Sequence, residues 1–165
     1  MSSARYFDDF RVGERFESAG LTITESAIVD FAVQWDPQPF HIDVEYARTE
    51  GNFGGLIASG LHTMCATLRL WIADRVFAAC TIGSPGVDET RFLRPVRPGD
   101  TLRVITELRE MRPSGSKPDR GSVLVRHTTL NQRGEVVTTM DARVILRKRP
   151  GSAGVSPASA RSAET

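Results

Sequence analysis

Ser59-Gly60-Leu61-His62-Thr63-Met64-Cys65-Ala66-Thr67-Leu68-Arg69-Leu70-Trp71-Ile72 is the stretch on which the fold turns. Ser59 has the chemistry of a helix cap, and Leu61, Met64, Cys65, Leu68, Trp71 and Ile72 return at helical spacing, a pattern that reaches about Phe77. So many large apolar side chains predict a central, mostly buried helix. Beyond Gly83 the period changes to two. Leu102, Val104, Thr106 and Leu108 share one face of 101–110, and Val123, Val125, His127 and Thr129 share one face of 121–130. Val136, Thr138, Met140, Ala142 and Val144 do the same in 136–146, and Asn131-Gln132-Arg133-Gly134 reads as the hairpin turn before them. One long helix followed by a meander of strands predicts an α+β domain, an antiparallel sheet covering that helix.

Upstream, the first 20 residues or so read as an extended lead-in. Thr24 can cap a helix that brings Ile28, Phe31, Ala32 and Trp35 to one face and must end before Pro37. Residues 44–49 predict one or two further helical turns, ended by Gly51. Residues 91–100 end in Pro98-Gly99-Asp100, a tight turn into the next strand, and 113–121 is a polar loop rich in Gly and Pro. Residues 1–149 are expected to form one domain. Residues 150–165, made of Gly, Ser, Ala and Pro with almost no large apolar residue, are expected to be a disordered tail.

A chain of 165 residues, 40% hydrophobic and 25% charged, is of a size and composition to build one real core. Its net charge of +1 gives no general attraction to nucleic acid. The charge is uneven, with 6 Lys/Arg against 13 Asp/Glu in residues 1–90 and 14 against 6 in residues 91–149. That basic half is either solvated strand faces or a positive rim for a phosphorylated ligand. Cys65 and Cys80 lack metal-ligand spacing and are expected to be reduced and buried, in a cytosolic protein. The start of the chain lacks the apolar segment of a secretion signal, and Arg69, Asp74 and Arg75 interrupt the longest apolar region, so no membrane span is expected.

Asp36-Pro37-Gln38-Pro39-Phe40-His41 carries the chemistry. A carboxylate and an imidazole form the minimal kit for moving protons. Two prolines fix φ around them, so both groups are expected on a stiff, non-helical turn. Apolar neighbours, Trp35 and Phe40, would raise the carboxyl pKa and lower that of the imidazole. A metal site is not expected, because no second histidine lies near at ligand spacing. Phe53-Gly54-Gly55 and Gly60 precede or open the long helix, where unsatisfied N–H groups and the positive end of the dipole can hold a developing oxyanion. Taken alone, that glycine spacing fits simple helix–strand packing better. His62 is read as lying beside the site and His127 as structural.

These segments, in this order, resemble the MaoC-like dehydratases, a family that includes the (R)-specific enoyl-CoA hydratases. Asp36-x-x-Pro39-Phe40-His41 with Ala47 resembles the hydratase motif, 53–60 the segment entering the central helix, and 91–100 the Phe-x-x-Pro-Val-x-x-Gly-Asp turn. The resemblance covers roughly residues 6–148. It implies a hot-dog fold, a curled antiparallel sheet wrapped around one long helix, usually as a homodimer or a dimer of dimers. It implies syn addition of water to a trans-2-enoyl-CoA, giving an (R)-3-hydroxyacyl-CoA. No cofactor is implied beyond the coenzyme A thioester that is the substrate. Asp36 and His41 would hold and activate the water, Gly60 would offer its N–H to the thioester carbonyl, and Ser59, Trp35, Phe40 and Gly55 would border the substrate. The family commonly has Gly before the acid, Asn two after it and often His before the helix glycine; here these are Trp35, Gln38 and Ser59. Two other readings remain: an acyl-CoA thioesterase on the same fold, which would commonly lack the paired histidine, and a non-catalytic acyl-CoA-binding module.

Overall fold

A computed structural model describes residues 4–151; of the tail expected over 150–165, residues 152–165 lie outside the described residues. The lead-in is more structured than its composition suggests. A 3-10 turn at Phe7–Asp9 is followed by two short strands, β1 (Arg15–Glu17) and β2 (Leu21–Thr22). Thr24 then caps α1 (Glu25–Trp35), its hydroxyl accepting the Ala27 N–H at 3.2 Å, and Ile28 and Ala32 form the buried face. The helix stops at Asp36, whose N–H still bonds to the Ala32 carbonyl, because Pro37 disfavours helical φ/ψ at the residue before it. Two short helices follow, α2 (Pro39–Ile42) and α3 (Val44–Thr49), the latter capped by Asp43. The turn bearing His41 is thus one helical turn, not the non-helical turn expected. Pro39 occupies its first position, where no N–H is needed.

The long helix is α4 (Gly60–Ala73), with Ser59 as its cap. Its buried face differs from the one read in the sequence. Thr63, Ala66, Thr67, Leu70 and Trp71 face the sheet, whereas Leu61 and Ile72 are 50% and 68% exposed and Cys65 is exposed, contrary to the buried position expected for it. The hydroxyls decide this. Thr67 Oγ1 bonds to the Thr63 carbonyl at 2.9 Å and to Thr129 Oγ1 at 2.7 Å, so small polar side chains are satisfied where the helix comes closest to the strands.

Four long strands complete the domain: β3 (Thr81–Phe92), β4 (Thr101–Pro113), β5 (Arg120–Leu130) and β6 (Val136–Arg147). All pair antiparallel in the order β1-β4-β5-β6-β3, with β2 also on β4. Alternation in β4 and β5 is as read, and Gly134 turns the hairpin at a φ of 76°. β3 is an edge strand, bent by three register shifts against β6. Buried residues form two clusters along α4. Ile28, Leu56, Val96, Leu102 and Val104 belong to one, which includes Ala58 and Ala66 near the helix start; Phe10, Trp71, Phe77, Leu108 and Val123 belong to the other, toward its end.

Candidate active site

Three segments meet at the start of α4. Residues 56–59 run beside α2: the Ile57 N–H bonds to the Phe40 carbonyl at 3.3 Å, and the Ile57 carbonyl accepts from His41 Nδ1 at 2.7 Å. On the other side, the Ala58 N–H bonds to the Val96 carbonyl at 2.8 Å, bringing in the segment after β3. A carbonyl only accepts, so Nδ1 of His41 carries a proton and Nε2 is turned toward Asp36, 3.4 Å from Oδ2. His41 is buried, with the edge of Phe40 against it at a centroid distance of 4.5 Å.

Asp36 is held by donors from two directions. Ser59 Oγ donates to Oδ2 at 2.6 Å and Gln38 Nε2 donates to Oδ1 at 2.8 Å. These bonds, with a smaller contribution from His41, hold the Asp36 carboxyl below the usual carboxylate range, against the opposing effect of partial burial. The direction is opposite to the one expected from its apolar neighbours. Trp35, the main such neighbour, is 63% exposed and turned away.

His41 and Gly60 stand in the wall of a cavity of about 350 Å³. Its buried lining includes Ile57, Ala58, Thr63, Val96 and Thr138, and the aromatic rings of Phe40, Phe53 and Phe92 also border it. Asp36 and Ser59 lie behind that wall, against His41 and the first turn of the helix. Gly60 opens α4, whose first N–H groups have no acceptor within the helix. Phe92 covers it: a Cβ on Gly60 would meet the ring at 2.7 Å.

Of the residues expected at the site, Asp36, His41, Ser59, Gly60 and Phe40 are brought together. Trp35 and Gly55 are not among the cavity-lining residues; Gly55, at a φ of 142°, lies near Arg97. Gln38, Thr63, Phe92 and Thr138 belong here and were not singled out as site residues. Gln38 was visible only as a departure from the family pattern, and Phe92 and Thr138 become neighbours only through strand pairing. His62 is packed flat on Phe31 at 4.7 Å, outside the cavity lining, and its buried Nδ1 has no hydrogen-bond partner among the described residues. A larger cavity of about 590 Å³ opens near the other end of α4, among residues such as Arg5, Phe16 and Arg75, and has no acid–imidazole pair. Among the described residues no three His, Cys, Asp or Glu side chains converge to hold a metal ion, and no helix is long and apolar enough to cross a membrane.

An antiparallel sheet against one long helix is the hot-dog architecture. The chain belongs to the MaoC-like domain family, whose model matches residues 9–131. A MaoC-like dehydratase from Rhodospirillum rubrum is 42% identical, superposes with a TM-score of 0.75, and is matched over 88% of this chain and 99% of that one. The (R)-hydratase PhaJ1 from Pseudomonas aeruginosa is 27% identical with a TM-score of 0.64, over 93% of this chain and 95% of that one. A mesaconyl-CoA hydratase from Cereibacter sphaeroides is 39% identical over 157 residues; the match takes in 92% of this chain and 44% of that protein's length.

Proposed function

We propose that this protein is a hydratase/dehydratase of acyl thioesters, adding water reversibly and in the syn sense to a trans-2-enoyl-CoA to give an (R)-3-hydroxyacyl-CoA. The observation that carries the reading is the contact of Asp36 Oδ2 with His41 Nε2, 3.4 Å apart, beside a cavity that also presents the first residue of α4. Family membership and the similarity to named hydratases support it.

The chemistry follows from the geometry. Asp36 is kept ionised by Ser59 and Gln38, so it can accept a proton at neutral pH. His41 has its Nδ1 proton fixed by the Ile57 carbonyl, which leaves Nε2 for the reacting water. The water oxygen bonds to the β-carbon while its proton passes to the pair. The C=C electrons move onto the thioester oxygen, where the Gly60 N–H stabilises the enolate. The pair then returns a proton to the α-carbon as the enolate collapses, so that H and OH have both been added and the enzyme is unchanged. One acid–base pair on one side of the substrate delivers both groups to the same face. An oxyanion donor of this kind elsewhere supplies about 2.7–4 kcal/mol of transition-state stabilisation.

Arg94, Arg97 and Arg133 border a shallow cavity of about 160 Å³ that shares Arg94 and Pro95 with the catalytic one, a natural place for the phosphates of coenzyme A. The exposed apolar residues of edge strand β3 and of the outer face of α4 favour a homodimer. The test of the reaction is spectroscopic. Loss of the conjugated enoyl absorbance with formation of the (R)-3-hydroxyacyl thioester is expected. Release of free thiol from a saturated acyl-CoA, with no hydration of any enoyl-CoA, would make it a thioesterase instead.

A further inference from the structure

Strand pairing sets Phe92 of β3, Thr138 of β6 and Thr129 of β5 in one cross-strand row. Thr129 reaches Thr67 of α4, so the row faces the helix. The row runs from the outside of the catalytic cavity inward. Phe92 stands exposed at its mouth, Thr138 is buried in its wall, and Thr129 is fully buried and no longer part of the lining. The helix repeats that order: Gly60 and Thr63 line the cavity, and Thr67, one turn further on, is fully buried behind it.

The two residues behind the walls are bonded to each other, Thr67 Oγ1 to Thr129 Oγ1, at 2.7 Å. Thr67 Oγ1 also bonds to the Thr63 carbonyl at 2.9 Å, so that side chain leans back toward the cavity, as helical side chains do. Helix and sheet are pinned together there. Behind the pin, Met140 and His127 form the next row of the sheet face, and Trp71 packs on His127 at a centroid distance of 5.5 Å.

Phe92 packs on Gly60 and Thr129 on Thr67, so one interval is spanned twice. Seven helical residues at about 1.5 Å each, or two strand spacings at about 4.8 Å each, both give roughly 10 Å. A contact distance of about 4 Å at the pin leaves roughly 6 Å, the reach of about five bonds at about 1.2 Å apiece. Counted from a thioester carbonyl at Gly60, that is a chain as long as hexenoyl.

We infer that the Thr67–Thr129 pair is the end-stop of the acyl cavity, and that the preferred substrates are short enoyl thioesters, from trans-2-butenoyl to trans-2-hexenoyl. The inference deepens the hydratase reading and rests on it.

The test compares kcat/KM for trans-2-butenoyl-, trans-2-hexenoyl- and trans-2-octenoyl-CoA, using wild type and three double variants whose folding is verified by circular dichroism. In an unobstructed apolar channel each added methylene gains up to about fourfold. Wild type should instead fall about tenfold or more from hexenoyl to octenoyl. Thr67→Val/Thr129→Val keeps the bulk without the hydrogen bond and should keep that ratio. Thr67→Ser/Thr129→Ser removes a methyl from each side, and Thr67→Ala/Thr129→Ala the hydroxyl as well. The octenoyl rate relative to hexenoyl should rise in the serine pair and by about tenfold in the alanine pair; should the alanine pair not fold, the wild-type profile and the serine pair still decide. Octenoyl used by wild type as well as hexenoyl or better overturns the inference and leaves the hydratase reading standing. So does a ratio unmoved in the folded serine and alanine pairs, or one moved as far by valine as by alanine. Hydration of no enoyl-CoA of any length removes both.

Discussion

Ser59 Oγ donates a 2.6 Å hydrogen bond to Asp36 Oδ2 while accepting the Leu61 N–H at 3.1 Å. One hydroxyl thus joins the acid to the first turn of the helix whose leading residue, Gly60, lines the cavity. Removing it should act on both. Ser59→Ala gives up a helix cap, typically about 0.5–2 kcal/mol of stability. It also removes the largest influence holding the Asp36 carboxyl down, so that pKa rises toward its ordinary 3.8. The acidic limb of the kcat/KM profile should therefore move to higher pH, with the loss of activity greater in acid than near neutrality. Lost stability with an unmoved acidic limb would reduce Ser59 to a cap.

Gly60 and Phe92 form a steric pair. Gly60→Ala would place a Cβ 2.7 Å from the ring. Overpacking of this kind costs about 1–3 kcal/mol, more than the roughly 0.5–1 kcal/mol that alanine gains over glycine in a helix. The variant should unfold at lower temperature and lose kcat/KM. Its N–H is retained, so Gly60→Ala/Phe92→Ala should recover part of both. A double variant no better than Gly60→Ala would mean that the ring is not the obstacle.

His127 should make the protein acid-sensitive. Its ring is buried, shares a 2.7 Å hydrogen bond with Thr106, and is pushed by burial from 6.5 to about 4. The unfolded chain takes up the proton first, so stability declines as pH falls from 6.5 toward 4, by up to about 3 kcal/mol at 1.36 kcal/mol per pKa unit. His62, lowered in the same direction by burial, adds to that slope. Urea unfolding of wild type and His127→Gln across this range should give a shallower pH dependence in the variant. Parallel curves would exclude His127 as a source of the slope.

The Thr67–Thr129 hydroxyl pair joins α4 to β5 at 2.7 Å. Thr67→Val strands the Thr129 hydroxyl in a buried place at a cost of about 1–3 kcal/mol, whereas replacing both by valine should be closer to neutral. Chemical denaturation of the single and double variants measures the coupling directly. Strictly additive losses would show that the pair contributes no mutual stabilisation.

The sequence was most readable where one element's signal was local. The capping of α1 by Thr24, the alternation of β4 and β5, and the acid and imidazole on one short segment needed no distant partner. The long helix is legible as a helix but not in its orientation, because its largest apolar side chains do not all lie on the buried face. The true face carries Thr63 and Thr67, made acceptable inside by hydrogen bonds that only the assembled sheet supplies. β3 escaped because an exposed edge strand with Gly83, Pro85, Gly86 and three register shifts has no alternating pattern to read. The direction of the Asp36 shift is not legible locally for a related reason: Trp35 beside it points to burial, but Ser59, 23 positions away in sequence, supplies the deciding donor. Thr138 reaches the cavity from a strand remote in sequence, and nothing local marks it, whereas Phe92 is marked locally only as the first residue of the Phe-x-x-Pro-Val-x-x-Gly-Asp turn motif within 91–100.

The central claim is that Asp36 and His41 together move the protons of a hydration reaction. Its most direct test is kcat/KM of wild type, Asp36→Asn and His41→Gln for one enoyl-CoA that wild type hydrates, with folding of each variant verified by circular dichroism. Loss of a proton-transfer group costs about 10²–10⁴-fold, and a loss in that range is expected for each variant with the fold intact. Folded variants that hydrate the substrate as fast as wild type would contradict it.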